Sequence, residues 1–96
     1  MEKRIKALRI LLLALKINNI PTRKELTVDK PTVFVEFMGH IATLVVTIIP
    51  QGWEESYNVS DAIKYRCVLN DNNADETLDE CISLLEIIWK EWKSTT

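Results

Sequence analysis

The side chains that could carry chemistry are few. The 96-residue chain has one histidine and two cysteines. His40 follows Gly39 between two apolar runs. General acid–base or triad chemistry needs an imidazole oriented by a partner and close to a nucleophile, whereas a tight turn directs its side chains to solvent. Cys67 and Cys81 fall on apolar faces with no CxxC spacing and no adjacent base, so each reads as a small buried hydrophobe. Three Cys/His residues without ligand spacing do not make a zinc site. Two glycines cannot build a P-loop or a GxGxxG turn. Asp71-x-Asn73-x-Asp75 begins like a calcium loop, which then requires Gly and later a bidentate acid. Those positions hold Glu76 and Ile82. No enzyme, metal or cofactor is expected, and the chain reads as one that acts by contact.

Two groups of residues are candidates for that contact. Residues 54–96 carry ten Asp/Glu and four Lys/Arg, net −6, while residues 1–53 carry eight Lys/Arg and four Asp/Glu, net +4. An acidic face of Glu54, Glu55, Asp75, Glu76, Asp79 and Glu80 would steer toward a basic protein partner. Helix capping explains four of these acids equally well. Trp53 and Tyr57, flanked by Glu54 and Glu55, resemble an interface hot spot with an acidic rim. Trp53 capping the core at the sheet edge is the plainer alternative. Lys3, Arg4, Lys6, Arg9 and Lys16 scatter round a helix axis instead of forming a groove-reading stripe. With a net charge of −2, this argues against a nucleic-acid binder.

These residues must be positioned by secondary structure. Residues 2–19 predict a helix, uninterrupted by Gly or Pro until Pro21. Ile5, Leu8, Leu12 and Leu15 form one stripe; Ile10, Leu13 and Ile17 form another, about 150° round the axis. A helix apolar on two sides must be covered on two sides. The sheet is one cover, and the second helix or a second copy of the chain is the other. Ile10, Leu13 and Ile17 are therefore the expected interface of a homodimer. The six-residue apolar run Ile10–Leu15 ends at Lys16, too short for a secretory core of about 7–15 residues or a span of about 20. The expectation is a cytoplasmic protein, in a bacterial host, with no membrane partner.

Residues 21–31 are polar and bracketed by prolines, a surface connection. Val33–Met38 and Ile41–Ile49 predict strands joined by a two-residue type II′ turn at Gly39-His40, with Met38 opposite Ile41. Val33, Val35, Phe37, Ala42, Leu44, Val46 and Ile48 then share an apolar face. Ile63–Leu69 alternates as a further strand, and residues 53–59 could add a short one. Asn73 and Glu76 resemble a capping box opening a helix from about Ala74 to Lys93. Its apolar stripe is Leu78, Cys81, Ile82, Leu85, Ile88, Trp89 and Trp92. The expected architecture is a single α+β domain over 1–96. A three- or four-stranded antiparallel sheet is flanked by an N-terminal and a C-terminal helix, in the order α-β-β-β-α.

Phe37-Met38-Gly39-His40, the strand ending near Ile49, Gly52-Trp53, the Tyr-bearing strand to Leu69, the Asn/Asp turn and the acidic helix together resemble small accessory proteins of bacteriophages and prophages. The likeness covers roughly residues 33–90 and leaves out the first helix. The element order is also similar, in outline, to small acidic anti-CRISPR inhibitors. No functional residue carries over from either group. The resemblance implies a mobile-element accessory protein that inhibits or regulates a host protein by binding it.

Overall fold

A computed structural model of the chain describes residues 2–18, 31–49 and 62–95. The order is α1 (Lys3–Ile17), β1 (Thr32–Met38), β2 (Thr43–Ile49), β3 (Ile63–Val68) and α2 (Ala74–Thr95). The three strands form one antiparallel sheet in the order β1-β2-β3. This is the expected α-β-β-β-α arrangement. The polar connection, over 21–30, and the short strand expected at 53–59 lie outside the described residues.

The β1–β2 connection differs from the predicted turn. Gly39–Ile41 form a 3₁₀ turn and Ala42 follows in the left-handed region at φ 49°. Four residues, not two, make the loop, and Met38 pairs with Thr43. Gly39 is not the residue that takes positive φ; Ala42 is. The longer loop moves the register by two residues. Because side chains alternate with a period of two, every residue still in a strand keeps its face, while Ile41 and Ala42, expected in the second strand, lie in the loop. Val33, Val35, Phe37, Leu44, Val46, Ile48, Tyr65 and Cys67 still share one side.

Both helices pack on that side. Ile10, Leu13, Ala14 and Ile17 from α1 meet Val33, Leu44, Val46, Ile48 and Cys67 from the sheet and Leu78, Cys81 and Leu85 from α2. The first helix therefore lies beside the second and does not cover the mixed face, where Phe34, Glu36, Lys64 and Arg66 are exposed.

Two polar anchors set the path of α1 across the sheet. At its C-terminal end the Asn18 amide grips the edge of β1. Nδ2 donates to the Val33 carbonyl and Oδ1 accepts from the Val33 N–H, both at 2.8 Å. Asn18 thus pairs with Val33 as a neighbouring strand residue would. At the other end Lys3 Nζ donates to the Leu69 carbonyl at 3.1 Å and the Asp71 carbonyl at 3.3 Å, just past β3. The helix runs diagonally, from the start of β1 to the end of β3. Phe37, near the end of β1, lies off this diagonal. It points to the helical side yet is largely exposed.

The Asn18 clamp is testable. Val33 is buried, so Asn18→Ala leaves both of its backbone groups without that partner. An unsatisfied buried polar group costs about 1–3 kcal/mol. Urea unfolding of Asn18→Ala should show a loss in that range with an unchanged slope.

Candidate interaction surface

The two stripes of α1 have opposite fates. Ile10, Leu13 and Ile17 are at most 1% exposed, enclosed by the chain's own sheet and second helix. The expectation that they form an oligomer interface is overturned: no surface of theirs is left to offer. The physical reason lies in the anchors. Asn18 and Lys6 orient the helix, and that orientation turns Ile10, Leu13 and Ile17 inward.

Ile5, Leu8, Leu12 and Leu15 point the other way, and Leu11 joins them. These five are 40–65% exposed. At 100° per residue they span the pole of the helix opposite the core. Large apolar residues scattered singly on a surface need no explanation, but a contiguous patch of several hundred Å² marks a contact face. Ile87 is a further exposed aliphatic residue, on α2.

Salt bridges tie α1 to α2 and to its own N-terminus. Lys6 lies between α1 and α2, with Nζ 3.1 Å from Asp75 Oδ1 and 3.0 Å from Asp79 Oδ1. Hydrogen bonds from Asp79 and then Asp75 raise its ammonium pKa above the ordinary lysine value. Its charge is thus retained until well into alkaline solution. Arg9 Nη2 reaches Glu86 Oε1 at 3.3 Å, and Arg4 pairs with Glu2. Lys16 is exposed in the last turn.

These pairs change the meaning of the acidic face. Asp75 and Asp79 are joined not by a shared outward task but by Lys6, whose charge offsets part of theirs. Glu76 and Glu80 remain exposed on α2. Glu54, Glu55, Trp53 and Tyr57 lie outside the described residues. Asp71 Oδ1 accepts from the Asn73 N–H at 3.3 Å, an Asx turn that leads into α2. The Asp71 carbonyl already holds the Lys3 ammonium. Among the described residues, no group of His, Cys, Asp or Glu could hold a metal ion. His40 is exposed in the 3₁₀ turn.

Cys67 and Cys81 are free and buried, as their apolar faces predicted. Burial, with a smaller contribution from Cys67, pushes the Cys81 thiol up to about 12, and burial alone raises that of Cys67. Such thiols are poor nucleophiles at neutral pH.

Among the described residues, no helix is long and apolar enough to cross a membrane. No family model matches the chain, and neither a curated protein nor a solved structure does.

Two predictions follow from the burial pattern. Ile10→Ala should destabilise by about 2–5 kcal/mol, as cavity-forming core truncations do, whereas Leu12→Ser should cost less than about 1 kcal/mol in dilute solution, where no second copy covers position 12. Chemical denaturation of the two variants checks the contrast. The raised thiols also couple to pH. Unfolded cysteine ionises near pH 8.5 while folded Cys81 stays protonated to about 12, so this contribution falls as pH rises through that window. Thermal melts from pH 8 upward should decline less steeply in Cys81→Ala than in the parent.

Proposed function

We propose that the chain is a non-catalytic protein-binding module whose contact face is the outward stripe of α1. One observation carries this: five large aliphatic side chains on one helix pole, each 40–65% exposed, above a fully formed core. The exposed part of these side chains costs solubility, so a partner that buries it is the physical return. Helix-face contacts read as i, i+3, i+7 anchors, and Ile5, Leu8, Leu12 and Leu15 have that spacing.

The role of a phage-type accessory protein acting on a host protein agrees with this chemistry. Such a protein needs a surface and no reactive groups. The exposed Glu76 and Glu80 would then tune approach and partner choice rather than supply the main contact area.

A tagged chain drawn from a bacterial lysate tests the reading. The parent should retain a bound protein that Leu8→Glu/Leu12→Glu releases, with the circular dichroism spectrum unchanged. A double variant that keeps every partner overturns the proposal.

A further inference from the structure

The outward stripe has a symmetry that names its occupant. Ile5, Leu8, Leu12 and Leu15 are spaced three, four and three residues apart. This is the a/d spacing of a coiled-coil seam, and it reads the same from either end of α1. Laid antiparallel on a second copy, the helix sets Ile5 over Leu15 and Leu8 over Leu12, giving four layers with no register conflict.

The borders of the seam decide orientation. Glu2, Arg9 and Lys16 lie along one border, and Arg4 and Leu11 along the other. In an antiparallel pair like borders meet. Lys16 then faces Glu2 of the second copy at both ends, adding a second cation to a carboxylate that its own Arg4 already holds, and Leu11 faces Leu11, which extends the apolar contact. Arg9 meets Arg9 near the centre, and each is already held by its own Glu86. In a parallel pair unlike borders meet, setting Arg4 against Arg9 and Leu11 against Lys16. That arrangement loses both Lys16–Glu2 pairs and sets the apolar Leu11 side chain against a charge at both ends.

We propose that α1 closes on the α1 of a second copy as an antiparallel pair, centred on Leu8, Leu11 and Leu12. This rests on the reading of the stripe as a contact face and assigns its partner: the same surface of the same chain. It is an isologous contact that closes at two copies, so a host protein that uses the stripe displaces the second copy.

Orientation and occupancy are tested together in the full chain. At about 50 μM, above the micromolar range of a modest interface, light scattering should give twice the chain mass. Cys67 and Cys81 are buried, so an introduced thiol is the accessible one. Copper–phenanthroline oxidation should link Leu11→Cys into a dimer and leave Ile5→Cys largely unlinked. Antiparallel packing brings the two copies of position 11 together and sets those of position 5 roughly 15 Å apart along the axis. Lys16→Glu should weaken the dimer several-fold, and Glu2→Lys/Lys16→Glu should restore it.

A monomer at that concentration overturns the proposal, as does linking of Ile5→Cys in place of Leu11→Cys. If the parent is monomeric and Leu8→Glu/Leu12→Glu still releases a captured protein, the contact face stands and the second copy does not. A dimer that survives Leu8→Glu/Leu12→Glu places self-association on another surface and removes this proposal.

Discussion

The diagonal of α1 across the sheet is the constraint on which the other features depend. A short apolar helix could roll on a three-stranded sheet at little cost, since aliphatic contacts are non-directional. Asn18, Lys3 and Lys6 are directional. They bond to the edge of β1, to the chain just after β3 and to two carboxylates of α2. Together they select one rotation of the helix. That rotation seats Ile10, Leu13 and Ile17 in the core and leaves Ile5, Leu8, Leu11, Leu12 and Leu15 outside.

From this follows a division of labour between apolar and polar groups. Burial of the aliphatic side chains supplies the driving force, at roughly 1.5–3 kcal/mol for each fully buried Leu, Ile or Val. Polar contacts contribute less but choose among packings that burial alone would leave nearly equal. The Asn18 clamp does more than orient. It occupies the outer backbone groups of Val33, and so blunts part of an edge strand that could otherwise pair with another chain. The clamp leaves untouched the outward face of α1, where five aliphatic side chains stay open to a partner.

Much of the fold was legible in the residues, for specific reasons. Cys67 and Cys81 read as buried because their neighbours alternate in β3 and repeat every three to four positions in α2. The shared face of Val33, Leu44, Val46 and Ile48 survived a mistaken turn because a two-residue register change preserves parity. The turn itself was misread for a local reason. Gly39 offers positive φ, yet the chain takes a 3₁₀ turn there and places the left-handed residue at Ala42. Nothing in the order Gly-His-Ile-Ala announces that choice. The Asn18 clamp was equally hidden, since the helical pattern ran on to residue 19 and placed Asn18 within it.

What the amino-acid order determined by itself was the set of periodicities. These were two apolar stripes on one helix, two apolar-faced strands, a third strand and an acidic amphipathic helix. It also determined that the first helix has more greasy surface than a single layer can hide. Which stripe goes inward is a different matter. Both are built from the same Leu and Ile, so hydrophobicity cannot rank them. The decision belongs to Asn18 meeting Val33 across fifteen residues and Lys6 meeting Asp75 and Asp79 across about seventy. Contacts between residues so far apart in sequence exist only once the chain has folded, so only the tertiary structure could decide between the stripes.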